Sequence, residues 1–128
     1  MGYSGTLFTM ARPRVISSVC SSSSPNETPR ASVDTLTPLS IDGIGLNCSQ
    51  GPEQALPIIR EFAEKTDLPL IYKPNAGKPI VSYGGEVVAD YDAETFVKDI
   101  APAFDFVSYI GGCCGSSPDY IRAIKAAL

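Results

Sequence analysis

Ile41-Asp42-Gly43-Ile44-Gly45-Leu46-Asn47-Cys48, followed by Ser49-Gln50-Gly51-Pro52, is the stretch whose pattern decides the fold. The run Ile41–Leu46 is short and apolar, as a buried strand is. Behind it, Pro52–Lys65 carries Ala55, Leu56, Ile59, Phe62 and Ala63 on one helical stripe. Gly51 precedes that helix and Pro52 suits its first turn, while Pro57 lies near enough to its start to limit the damage. A buried strand feeding an amphipathic helix is the repeating unit of a parallel β/α fold.

The same unit recurs toward the C-terminus. Leu68–Tyr72 reads as a second strand and Pro74-Asn75-Ala76-Gly77 as a turn. Ile80–Val88 reads as a hairpin through Gly84-Gly85. Asp92–Ala103 reads as a helix, with Asp92 as its N-cap and Phe96, Val97 and Ile100 facing inward. Phe104–Ile110 reads as a third strand, with Phe106–Ile110 as its apolar part. A last helix, Pro118–Leu128, is capped by Ser116 or Ser117 and turns Ile121, Ile124 and Leu128 to one side.

Residues 1–40 lack this regularity. Arg14–Val19 suits a short strand, but Cys20 to Pro29 is rich in Ser and Pro, which reads as loop. Val33, Leu36 and Leu39, close to Pro38, are too few to specify a helix. The expectation is therefore an irregular segment over 1–40 and about three β/α units over 41–128.

The bulk properties exclude several classes. A chain of 128 residues suffices for one small domain. Net charge is −4 with no basic cluster, which argues against nucleic acid as a partner. No apolar run approaches the ~20 residues that span a bilayer, and the N-terminus lacks a secretory layout. The four cysteines then fit a reducing, cytoplasmic setting better than a disulfide framework. There is no histidine, so imidazole cannot serve as ligand or base.

Right-handed crossovers would put every strand C-terminus on one sheet edge, where β/α folds place their sites. Cys48, Asn75 and the pair in Gly111-Gly112-Cys113-Cys114-Gly115 all fall just past strand ends. Three thiolates leave one position of a zinc tetrahedron open, the layout of a catalytic site. An ion so ligated has a formal charge of about −1, which suits binding a substrate thiol as thiolate better than activating water. On the residues alone, inert buried thiols and redox chemistry stay open beside metal binding. A bond between adjacent Cys113 and Cys114 would strain their peptide. Cys20 reads as a loop or buried thiol.

Gly45-Leu46-Asn47-Cys48, Pro74-Asn75-Ala76-Gly77 and Gly111-Gly112-Cys113-Cys114-Gly115, in this order, resemble the homocysteine S-methyltransferase family. The likeness is nearest to the homocysteine-binding domain of the cobalamin-dependent methionine synthases, and runs from about Ile41 to Leu128. The resemblance implies a TIM-type β/α barrel of eight strands, of which this chain supplies the C-terminal part. It implies zinc held by Cys48, Cys113 and Cys114, with Asn75 lining the substrate pocket. It also implies homocysteine bound as a zinc thiolate and methylated to methionine. The methyl donor differs among members: methylcobalamin, S-methylmethionine or betaine.

A full barrel needs roughly 200 residues or more, and no helix is expected before the Asn-Cys strand. The corresponding expectation is a shortened gene product. It would be either a catalytically inactive zinc-binding remnant or one part of a split barrel. Its uncovered edges would favour self-association or a completing chain.

Overall fold

The computed structural model describes residues 16–19, 29–48, 50–77, 79–81, 83–85, 87–89 and 91–128. Four parallel strands form the main sheet: β1 (Ile16–Val19), β2 (Gly43–Asn47), β3 (Leu70–Lys73) and, after a separate hairpin, β6 (Tyr109–Ile110). They lie in the order β1-β2-β3-β6, so each strand pairs with its predecessor in the chain. The register runs Val19 with Leu46, Leu46 with Tyr72, and Tyr72 with Ile110. Helices α1 (Pro29–Leu36), α2 (Pro52–Lys65) and α3 (Ala93–Ile100) connect these strands, and α4 (Pro118–Ala127) follows β6. The inserted hairpin pairs β4 (Pro79–Val81) with β5 (Val87–Ala89), antiparallel. The chain is thus α/β with a small parallel sheet, an arrangement compatible with consecutive units of a β/α fold.

Alternation along the strands separates two faces. Ile44, Leu46, Leu70 and Tyr72 join the core beneath the helices. There they meet Val33 of α1, Ala55, Ile59 and Phe62 of α2, Phe96 and Ile100 of α3, and Tyr120 and Ile124 of α4. Burying each of the larger of these side chains stabilises by roughly 1.5–3 kcal/mol. Tyr72 is fully buried, and its hydroxyl donates to the Pro52 carbonyl at 3.2 Å. Burial, with Asp99 nearby, pushes that phenol well above its usual range, so it is a neutral donor. Phe96 and Tyr120 meet edge to face at 5.4 Å between centroids, which ties α3 to α4.

A Cβ on Gly45 would lie 1.8 Å from the carbonyl oxygen of Ile71. Only glycine lets β2 and β3 approach there.

Several expectations need correction. A helix does precede the Asn-Cys strand: α1 covers Pro29–Leu36 and packs on α2. Pro29 opens it, where a proline costs nothing, and one buried residue, Val33, anchors it. With β1 in the sheet, residues 16–19 and 29–39 are regular rather than irregular. Cys20 and Arg14–Val15 lie outside the described residues.

The third strand is shorter than expected. Phe104–Val107 continues the turns after α3, with Phe104 N–H on Ala101 and both Phe106 and Val107 N–H on Ala103. Only Tyr109 and Ile110 pair with β3. In α4 the inward residues are Tyr120 and Ile124, whereas Ile121 and Leu128 are exposed.

No helix among the described residues is long and apolar enough to cross a membrane.

Gly45→Val should destabilise the chain by about 3 kcal/mol or more, because the strand backbone itself must move. Urea unfolding midpoints of the two proteins measure this, and an unchanged midpoint would contradict the close approach.

Candidate metal centre

Three loops leave the C-terminal edge of the sheet, and each carries part of the site. The first begins at Cys48, whose φ of 69° places it in the left-handed region. That conformation is uncommon for a residue with a Cβ and needs support from its surroundings. Support comes from both sides. The Cys48 N–H donates to the Lys73 carbonyl at 3.0 Å, and its own carbonyl accepts from Gln50 N–H at 2.9 Å. The bend turns the side chain away from the line of the strand.

The second loop is Pro74–Gly77. Asn75 N–H donates to the Gln50 carbonyl at 2.9 Å, which binds this loop to the first. Asn75 is only 4% exposed, and its side-chain Oδ1 accepts from Cys114 N–H at 3.1 Å. Ala76 N–H donates to the Cys114 carbonyl at 2.9 Å. Both backbone groups of Cys114 are therefore held by adjacent residues of this loop.

The third loop follows β6. Cys113 N–H donates to the Pro74 carbonyl at 2.9 Å, and Ser116 N–H closes a turn onto the Cys113 carbonyl at 3.0 Å. Gly115, at φ 80°, takes the third position of that turn, where a positive φ is required. A Cβ on Gly112 would fall 2.1 Å from Ser116 Oγ. The glycines thus let two adjacent cysteines bend toward one point.

The result is a cluster of three sulfurs within 4.8 Å of one another, from Cys48, Cys113 and Cys114. Cys48 Sγ and Cys114 Sγ are 3.5 Å apart, and none of the three cysteines forms a disulfide among the described residues. Sulfurs around one tetrahedral zinc ion lie about 3.8 Å apart, since each is ~2.3 Å from the metal. The donor set and spacing fit such an ion. Cys114 is exposed and the other two are half-buried, so the cluster opens to solvent on one side.

Burial, and then contact with Cys48, pushes the Cys113 thiol up to about 12. A hydrogen bond with Cys48, followed by burial, also raises Cys114. Crowded thiols resist becoming neighbouring anions, and a cation between them reverses that preference.

All three cysteines expected at the site converge, and Asn75 lies directly beneath them. Three further groups were not expected. Asn47 Oδ1, Gln50 Oε1 and Ser116 Oγ are buried without a hydrogen-bond partner among the described residues. Each belongs to a residue within three positions of a cluster cysteine. Asn47 is part of the Gly45–Cys48 motif, and the sequence marks Ser116 only as a helix cap. Gln50 carries no sequence signal at all.

A family model, homocysteine S-methyltransferase, matches residues 6–128. The chain belongs to the homocysteine S-methyltransferase family. The match begins well before Ile41, so the family likeness also takes in the N-terminal segment. Methionine synthase of Mycobacterium leprae (strain TN) is 36% identical over 102 residues, covering 77% of this chain and 8% of that protein. Methionine synthase of Mycobacterium tuberculosis (strain ATCC 25618 / H37Rv) is 35% identical over the same length and shares. The chain therefore spans less than a tenth of the length of these relatives.

Two outcomes follow from the geometry. A soft divalent ion taken up by these thiols must displace the protons that their raised pKa values retain at neutral pH. With one proton released per thiol ligated, apparent affinity should rise by between about a hundredfold and a thousandfold per pH unit around neutrality and fall likewise on acidification. Competition titrations at several pH values measure the slope, and a flat profile would contradict it. Asn75→Ala removes the side-chain acceptor for the Cys114 amide. It should weaken metal binding on the order of tenfold or more while the three thiols stay in place.

Proposed function

We propose that Cys48, Cys113 and Cys114 hold one zinc ion and that the chain is a homocysteine-binding methyltransferase module. Convergence of three sulfurs from two distant loops within 4.8 Å carries this reading. Family membership supports homocysteine as the methyl acceptor. The mycobacterial relatives, both methionine synthases, support methionine as the product.

Bound at the three thiolates, zinc would supply the Lewis acidity that keeps a substrate thiol anionic, yet nucleophilic, near neutral pH. The chain's own residues do the rest. The two loop glycines and the left-handed Cys48 preset the three sulfurs, so little reorganisation accompanies binding. Asn75 holds Cys114 from below and, in this reading, forms the floor of the substrate pocket. The cluster is exposed on the Cys114 side, from which homocysteine would approach. The acceptor sulfur forms a new bond to the methyl carbon, and the donor keeps the electron pair of the bond that breaks. Methylcobalamin and sulfonium compounds such as S-methylmethionine are donors of the required kind. The TIM-type barrel and a reducing, cytoplasmic setting belong to the same reading.

Elemental analysis of protein purified under reducing conditions tests it. One zinc per chain is expected, and Cys113→Ser should lose most of it. Folded, reduced protein that binds no zinc would remove the metal and, with it, thiol activation.

A further inference from the structure

The strand that leads into Asn75 ends in a lysine, and its side chain is placed where a substrate would come. Lys73 follows Tyr72, whose ring is buried beneath the helices, so Lys73 emerges on the opposite face of the sheet. It pairs in register with Asn47, and its carbonyl receives the Cys48 amide. On its other side the chain lies along Gly111. A Cβ there would stand 3.6 Å from Lys73 Cγ and 3.8 Å from Lys73 Cε. The aliphatic stem therefore runs between the strand that delivers Cys48 and the strand that delivers Cys113 and Cys114.

Lys73 is half-buried, and among the described residues no carboxylate pairs with it. The strands it lies between instead lead into the three thiols, and its register partner Asn47 has a buried, unpartnered Oδ1. A confined ammonium group without an acidic partner favours an anionic ligand. A thiol amino acid has such an anion: four bonds separate its sulfur from its carboxyl carbon, a span of roughly 5 Å.

We propose that Lys73 is the carboxylate-binding residue of this site, selecting a thiol that carries an α-carboxylate over a simple thiol. The proposal rests on the homocysteine reading above and adds the residue that distinguishes the amino acid from a mere thiol. Lys73 contributes no electrons to methyl transfer. It holds one end of the substrate while the sulfur occupies the open position at the cluster, fixing the direction of the sulfur lone pairs.

The test uses the cobalt(II)-loaded chain, in which thiol coordination is read from sulfur-to-metal absorption bands without any turnover. Two probes are titrated: homocysteine, and 3-aminopropane-1-thiol, which lacks only the carboxylate. Wild-type protein should bind homocysteine about 30-fold more tightly than the amine thiol. In Lys73→Met that preference should collapse to within about threefold, through loss of homocysteine affinity alone, and Lys73→Arg should restore most of it. An unchanged cobalt spectrum in Lys73→Met confirms that the cluster is intact.

Equal homocysteine affinity in wild type and Lys73→Met would overturn the lysine assignment while leaving the homocysteine reading standing. Equal loss of both probes would also overturn it, because a carboxylate contact cannot affect the amine thiol. Absence of any thiol-dependent band in wild-type protein would overturn the homocysteine reading, and the lysine proposal with it.

Discussion

The hydrogen-bond ladder between parallel strands does not stop where the strands stop, and the site depends on that continuation. Cys48 N–H reaches the Lys73 carbonyl and Cys113 N–H reaches the Pro74 carbonyl, each extending a strand pairing into its loop. Asn75 then closes the set, with its backbone on Gln50 and its side chain on Cys114. Three separate loops become one surface with nearly all its backbone direction specified. A metal cluster of thiols can be built on loops only under such a constraint, because tetrahedral ligation tolerates little error in sulfur position.

That ladder in turn requires the strands to lie close and level. Gly45 permits the close approach of β2 to β3. Tyr72 fixes the level of β3 against α2 through its hydroxyl on Pro52, at the start of that helix. The apolar layer beneath the helices thus sets the height at which Cys48 and Asn75 leave the sheet. The opposite face carries Gly43, Gly45 and Asn47 of β2 and Ile71 and Lys73 of β3, so its polar groups gather at the C-terminal end of the strands, beside the cluster. Core and site are two faces of the same four strands.

Much of this was legible in the amino-acid pattern, and the failures have local causes. Helix α2 matches its expected bounds because its apolar stripe, leading proline and following polar run all agree. Asp92 caps α3 as expected, its side chain accepting from Thr95 N–H at 2.7 Å. The strand expected over Phe104–Ile110 overshoots because an apolar run does not reveal whether its backbone is extended or turned. Here Pro102 and the carbonyls of Ala101 and Ala103 keep it turned. Helix α1 offers little period to detect, because its core contacts among residues 31–36 are Val33 and the partly buried Leu36. In α4 the inward face centres on Tyr120, whose hydroxyl donates to the Tyr91 carbonyl, and a polar tip disguised it. The three cysteines were legible because soft ligands at strand ends are rare. The part played by the Asn75 side chain was not, since it joins residues 39 positions apart.

The most direct test of the account is zinc-edge X-ray absorption on the zinc-loaded chain, before and after homocysteine is added. Three sulfur neighbours rising to four on addition is the result expected of three protein thiolates and one open position that takes the substrate. Fewer than three sulfurs at the start, or a count that homocysteine leaves unchanged, would contradict it.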